Sequence, residues 1–339
     1  MIRKKHANIP LVTTQSTGPQ SRPHPWTAIK PNRHDCCYQL YCEVSYKDGA
    51  KERLRRMNGV DRASATHGEQ STFTVDPEPF RVKGPVSLVR IPGRAGEDHD
   101  KAAAKEAVKG LTARMAQLQE ILHASRSHAV LIVLQAMDAA GKDSTIRRCF
   151  GALNPQRCTT ASFKQPTGRE KRHDFLWRVH RKIPGRGTIG IFNRSHYEDV
   201  LVARVDGLVS GETWEKRYEH INRFERLLAD ESTVILKFYL HVSKDYQKRR
   251  LLRRLRRPDK RWKFNAADLE ERKRWDDYMR AYEDLFSRCA AEWAPWYIIP
   301  SERRWYRDAL ICTVVTRTLE RLNLRLPEPD IDPSSFDLH

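Results

Sequence analysis

The chain has 339 residues, 31% charged and 39% hydrophobic, enough for one large or two modest packed domains. Its 62 Lys and Arg against 43 Asp and Glu give a formal charge of +19, which calls for an anionic partner: nucleic acid, an acidic membrane surface or a polyanionic substrate. No apolar run reaches the length of a membrane span, no apolar core follows the basic N-terminus, and seven irregularly spaced cysteines form no disulfide framework, so the expectation is a cytoplasmic protein with no membrane partner.

Residues 1–78 mix Pro, Thr, Ser, Gln and basic side chains without sustained periodicity and read as a poorly ordered extension, with a short strand near 37–45. His34, Asp35, Cys36, Cys37 and Cys42 cluster there, but their spacing fits no zinc pattern. Regular patterning begins at Pro79. Residues 102–124 predict a helix with Val108, Leu111, Met115, Leu118 and Leu122 on one face. Residues 129–134 predict a strand buried on both faces. A turn at 136–142 and a helix ending near Gly151 follow. Residues 158–163 predict a second strand, followed by Lys164 and a loop, then a short helix over 173–181. After the turn at 184–187 comes a strand over 188–192, with a polar cluster, 193–199, at its carboxyl end. A helix over 214–228 should turn Trp214, Tyr218, Ile221, Leu227 and Leu228 inward. A strand over 234–242 leads to a very basic helix, 243–257, ended by Pro258. Asn265 is placed to cap a helix running to about 288. A strand over 295–299 and a helix over 305–322 close the pattern, leaving a tail at 327–339. Strands alternating with helices predict an α/β fold: a parallel sheet with helices on both faces.

The sharpest feature is the passage from strand to helix through Ala136-Met137-Asp138-Ala139-Ala140-Gly141-Lys142-Asp143. It approximates the phosphate-loop pattern G-x-x-x-x-G-K-[ST], with Ala136 at the first glycine and Asp143 at the hydroxyl position. In such a loop, backbone N–H groups from Ala139, Ala140, Gly141, Asp143, Ser144 and Thr145 surround phosphate oxygens, the helix dipole favours the anion, and Lys142 adds a point charge. Asp138 beside an anion calls for a bridging cation, which makes it a candidate Mg²⁺ ligand; a simple helix-terminal charge is the competing reading. Arg194, at the carboxyl edge of the third strand, can grip phosphate bidentately. Glu198 and Asp199 either hold metal or nucleotide, or pair with nearby arginines. In the basic helix, like charges repel by a few tenths of a kcal/mol per pair, roughly. An anionic partner offsets that repulsion, as in a mobile lid over phosphates.

Three stretches together resemble the polyphosphate kinase 2 family: Met137 to Asp143, Ile191 to Val202 (Ile-Phe-Asn-Arg-Ser-His-Tyr-Glu-Asp-Val-Leu-Val) and Pro258 to Phe264 (Pro-Asp-Lys-Arg-Trp-Lys-Phe). Trp275-Asp276-Asp277-Tyr278 and Ala294-Pro295-Trp296-Tyr297 strengthen the match, which runs over 79–326. The resemblance implies a P-loop kinase core with a helical lid at about 243–265. It also implies Mg²⁺-dependent, reversible transfer between inorganic polyphosphate and AMP or ADP, and self-association into a homo-oligomer. Asp138 and Lys142 match the first motif, Asn193 and Arg194 the second. Asn193, where many members carry Asp, together with Glu198 resembles the subgroup acting on nucleoside mono- and diphosphates. Arg178, Arg250 and Arg254 match lid-type basic positions, and Lys164 a phosphate contact. GMP and GDP remain open as acceptors. Ala136 and Ser144 depart from positions that are often Gly, and Ala136 narrows the loop's backbone freedom. Two other readings stay open: an ATP-dependent nucleotide kinase, and a catalytically weakened nucleic-acid-binding protein, against which the absence of an aromatic-basic repeat counts.

Overall fold

Ala129–Gln135, seven residues buried along their whole length, form the central strand β1 of a five-stranded sheet in the computed structural model, which describes residues 73–328. The chain divides into Met1–Gly68 and Glu69–His339, and the description that follows is of the second unit. The expected strand near 37–45, the His34 to Cys42 cluster and residues 329–339 lie outside the described residues. Ordered packing begins before Pro79: Val75 is buried and Phe73 packs on His99, ring centroids 5.2 Å apart.

The other strands are β2 (Cys158–Ser162), β3 (Ile189–Asn193), β4 (Thr233–His241) and β5 (Trp296–Pro300), and the spatial order is β2-β3-β1-β4-β5, all parallel. The helices are α1 (Lys101–Ser125), α2 (Lys142–Cys149), α3 (Trp177–His180), α4 (Glu198–Val205), α5 (Gly211–Asp230), α6 (Lys244–Arg256), α7 (Ala267–Lys273), α8 (Trp275–Cys289) and α9 (Arg304–Arg321). Right-handed crossovers fix their sides. The β1–α2–β2 connection runs one way across the sheet; the β2-to-β3, β3-to-β4 and β4-to-β5 connections run the other. Accordingly α1, α2 and α9 pack together, and α4, α5 and α8 pack together. With both faces covered, β1 needs the continuous apolar run that the sequence shows, and β4 carries such a run interrupted only by Lys237. None of the described helices is long and apolar enough to cross a membrane.

Several expected elements change. The helix expected over 173–181 is confined to Trp177–His180. The helix expected to start at Trp214 begins at Gly211, capped by the Ser210 hydroxyl accepting from Thr213 N–H. Its inward stripe is Tyr218, Ile221, Phe224, Glu225 and Leu228, while Leu227 is 53% exposed because it falls a third of a turn off that stripe. The polar cluster after β3 runs directly into α4, whose Val200, Leu201 and Ala203 are buried. The helix expected from 265 to 288 is two helices that break at Arg274. Arg274 is drawn out of the helical pattern toward α4, donating to the Val205 carbonyl at 3.0 Å and pairing with Asp206 at 2.9 Å. The break lets α8 pack on the sheet while α7 turns toward the loop after β1.

A charged group lies in the core beneath α4. Lys237 of β4 and Glu225 of α5 pair at 2.6 Å with both side chains essentially inaccessible. The lysine also donates to the Tyr197 hydroxyl and the Cys289 carbonyl, each at 2.8 Å, and Tyr197 and His196 contact the second Glu225 oxygen at 2.8 and 3.1 Å. This knot pins the start of α4 to the sheet. Lys237→Met strands the Glu225 charge, and an unfolding free energy lower by about 3–5 kcal/mol is expected in urea titrations.

Candidate active site

The site sits where connections leave adjacent strands to opposite faces: β1 feeds α2 on one side, β3 feeds α4 on the other, and a crevice opens between their carboxyl ends. Leu134 of β1 pairs with Asn193 of β3, and Arg194 N–H donates to the Leu134 carbonyl at 3.0 Å. Register alone therefore brings the loop 136–142 and the cluster 193–199 together.

The loop turns through two left-handed residues, Ala139 (φ 63°) and Gly141 (φ 116°). Ala136 is not among them, so the departure from glycine there costs no backbone freedom; the strained non-glycine position is Ala139. Among the described residues the N–H groups of Ala139, Gly141, Lys142 and Asp143 have no backbone acceptor, whereas Ala140 N–H donates to Met137 O at 3.3 Å. Ser144 and Thr145 use both their N–H groups and their hydroxyls on the Gly141 carbonyl, so they close the turn and do not line the cradle as expected. Lys142 opens α2 and folds back over its own loop, its ammonium donating to the Ala136 carbonyl at 2.9 Å. Burial and the nearby Arg194 lower its pKa.

Arg194, itself left-handed (φ 64°), joins the two loops. One guanidinium nitrogen meets Glu198 at 2.9 Å and another meets Asp138 at 2.8 Å. Glu198 and Asp138 hold it firmly protonated against its burial. Glu198 also accepts from the Gln135 amide at 3.1 Å. Asn193 donates to Asp143 at 3.0 Å, and the exposed Asp143 carboxylate lies 3.7 Å from Lys263. Asp138, Lys142, Arg194, Asn193 and Glu198 are thus one constellation, and Asp143 faces the basic segment opposite it.

The basic helix expected to serve as a lid forms α6, capped by Ser243 and continued by the 3₁₀ helix Pro258–Lys263. Its arginines differ. Arg254 is tied to Asp268 at 3.2 Å and to the Lys263 carbonyl at 3.3 Å. Arg250 is half-buried with no acceptor among the described residues, and burial, together with Arg304, Arg253 and Arg254, lowers its pKa. Arg178 does not belong to the lid. It sits in α3, buried, donating to the Lys164 carbonyl at 2.7 Å and to Asp199 at 3.3 Å. Asp199 is thereby spent on Arg178 and Arg217. Lys164 is exposed at the end of β2. A cavity of about 380 Å³, lined by Asp174, Leu176, Trp177, His180, Arg181 and Phe224, shares no residue with the constellation.

Three contacts escaped the sequence reading. Gln247 of α6 donates to the Asp138 carbonyl at 3.1 Å and accepts from Arg272 of α7 at 3.0 Å, linking lid and loop. Glu271 of α7 hydrogen-bonds the Asp138 carboxylate. Burial and that carboxylate push its pKa up to about 8, while Lys142 and Arg194 hold Asp138 low. Arg307 and Asp308 lie beneath the loop. Only the last pair left a signal: two charges placed directly before the apolar run 309–315.

A family model described as Polyphosphate kinase 2 (PPK2) matches residues 98–326. The chain is 53% identical over 230 residues to an AMP/ADP-polyphosphate phosphotransferase of Meiothermus ruber, covering 68% of this chain and 86% of that one. It is 47% identical over 227 residues to an ADP-polyphosphate phosphotransferase of Rhodopseudomonas palustris, covering 63% and 78%. A crystal structure of polyphosphate kinase 2 from Arthrobacter aurescens superposes with a TM-score of 0.74 at 40% identity, over 76% of this chain and 93% of that one.

The Glu271 shift has a sign that can be measured. A carboxyl raised from 4.5 to about 8 adds stability that is full below pH 4.5 and is lost as pH climbs to about 8. Glu271→Gln, which cannot ionise, should remove that decline. Melting temperatures of ligand-free protein followed from pH 5 to 8 should fall more steeply for wild type than for the variant, and parallel curves would refute the assignment.

Proposed function

The chain belongs to the polyphosphate kinase 2 family, and from that premise we propose how its site performs the family's reaction. The enzyme is a transferase that moves the terminal phosphoryl group of inorganic polyphosphate to AMP or ADP. The observation that carries the mechanism is the convergence of Lys142, Asp138 and Arg194 in the crevice between β1 and β3.

In our reading the loop N–H groups and Lys142 hold the acceptor's phosphates, and the polyphosphate end lies under the lid. The acceptor's terminal phosphate oxygen attacks the terminal phosphorus of polyphosphate in line. The bridging P–O bond breaks, polyphosphate leaves one unit shorter, and no covalent enzyme intermediate forms. Lys142, Arg194 and Arg250 neutralise the charge that spreads over the transferring oxygens. The reaction runs backwards through the same geometry.

Mg²⁺ belongs to this proposal. Among the described residues no cluster of three or more His, Cys, Asp or Glu could hold a metal with protein ligands alone. Magnesium at phosphate sites characteristically takes one or two carboxylates and completes its shell with water and phosphate oxygens. Asp138, with Glu271 hydrogen-bonded to it, is such a set, and two carboxyls held together need a proton or a cation between them. An ion held by Asp138 would supply positive charge against the phosphate oxygens. GDP is an acceptor in the same reading, supported by relatives named NDP- and putative GDP-polyphosphate phosphotransferases; GMP as a further acceptor and a cytoplasmic homo-oligomer complete the proposal.

Lys142→Ala should leave the circular dichroism spectrum and melting curve near wild type and cut kcat by roughly 10²–10³-fold, the scale of losing one preorganised charge donor. Product chromatography with polyphosphate and AMP, ADP, GMP or GDP reads the loss. Near-normal turnover in the variant removes Lys142 from the mechanism, and ATP replacing polyphosphate as the better donor overturns the substrate assignment. Chelation by EDTA should stop turnover, and added Mg²⁺ should restore it.

A further inference from the structure

Arg307 and Asp308, in the first turn of α9, are 0% and 3% exposed, and the transfer mechanism uses neither. One Asp308 oxygen accepts from the Arg307 Nε at 2.9 Å and from its Nη2 at 2.8 Å. The other accepts from the Nε of Arg148 on α2. Arg148 also carries a buried Nη2 with no partner among the described residues. Two guanidiniums, Arg307 fully buried and Arg148 partly buried, therefore share one buried carboxylate, which leaves one positive charge uncompensated. Burying such a charge is expensive.

Its position suggests what repays the cost. Arg307 Nη1 lies 3.4 Å from the Ala140 carbonyl, and its Nη2 lies 3.4 Å from the Ser144 hydroxyl. A Cβ on Gly141 would stand 2.5 Å from Nη1, so the guanidinium presses directly against the underside of the loop. In a planar trans peptide, the carbonyl of Ala140 and the N–H of Gly141 point opposite ways. Drawing that carbonyl down toward Arg307 turns the Gly141 N–H up toward the face where the phosphates bind.

We propose that Arg307 is a positioning residue of the phosphate loop, which aims the Gly141 N–H outward and, with Arg148, supplies surplus positive charge beneath the bound phosphate. The proposal rests on the phosphate-loop reading given above. A role confined to tying α9 to α2 makes a different prediction for the neighbouring acid. If the pair only braces the fold, removing either partner weakens everything together. If the surplus charge matters, removing Arg307 and removing Asp308 act on anion affinity with opposite signs.

The test uses full-length protein and inorganic tripolyphosphate as the probe, titrated calorimetrically at fixed ionic strength, with ADP and polyphosphate kinetics alongside. Arg307→Gln should raise the tripolyphosphate Kd roughly tenfold, the scale of one charge on the order of 10 Å away at an effective dielectric near 20. Asp308→Asn should lower that Kd several-fold even as its melting temperature drops, and Arg307→Lys, keeping the charge and losing the fork, should fall between wild type and Arg307→Gln. The kinetic counterpart is a KM shift larger than the kcat shift. Should Arg307→Gln not fold, the other two variants decide by the same signs. Affinity that falls in every variant, or moves in none, overturns the proposal. Wild-type protein that binds tripolyphosphate but transfers nothing from polyphosphate would sink the mechanism while leaving this inference standing.

Discussion

Everything in the site depends on the Arg194 bridge. A guanidinium at the mouth of a parallel sheet cannot stay desolvated without anions, and Asp138 and Glu198 supply them from two different loops. The bridge fixes the distance between the strand-end clusters and pre-positions a cation where phosphate must bind. It also spends Asp138 on a protein partner until a ligand arrives. Burial and the Asp138 carboxylate raise the pKa of the neighbouring Glu271, which favours a proton on that carboxyl. In the proposed mechanism, phosphate exchanges partners among charges already in place, and little reorganisation remains for the transition state.

That arrangement is inherited from topology more than from local sequence. The strand order puts β1 between β3 and β4, and the opposite crossovers on its two sides leave the crevice open. The buried knot of Lys237, Glu225, Tyr197 and His196 then fixes the first residues of α4, which lie between Arg194 and the body of the helix carrying Glu198. The break at Arg274 serves the same end from the other side. A continuous helix could not pack its Tyr278, Tyr282, Leu285 and Phe286 on the core and also bring Asp268 and Glu271 to the lid and loop.

The pieces legible in the sequence are those written in local pattern. Continuous apolar runs marked the buried strands, Gly141-Lys142 after such a run marked the cradle, and Ser243 and Pro258 bounded the basic helix. What escaped was set by long-range contact. Nothing near Arg178 in the chain says that Asp199 and the Lys164 carbonyl will capture it in α3, away from the lid. Nothing near Glu271 says that it will meet Asp138, more than a hundred residues earlier. Leu227 looked like core because it is leucine, but helical phase turned it outward. Ser144 and Thr145 were expected to offer N–H groups to phosphate because they open the helix after the cradle; their N–H groups and hydroxyls turn back on the Gly141 carbonyl instead.

The chain's +19 charge can be weighed by where it is left unpaired. Arg254, Arg178 and Arg194 have carboxylate partners and contribute order more than attraction. Arg250 lacks one among the described residues, half-buried in α6, where burial and the neighbouring arginines lower its pKa. A buried or half-buried cation without a partner is tolerated only if an anion visits it often enough to matter. Arg250 on α6 and the Arg307–Arg148 surplus against the phosphate loop are two such cations on separate elements. A neutral or singly charged substrate cannot satisfy both. A chain of phosphates that carries charge along its whole length can, and this is the physical reason a strongly basic protein of this fold suits polyphosphate.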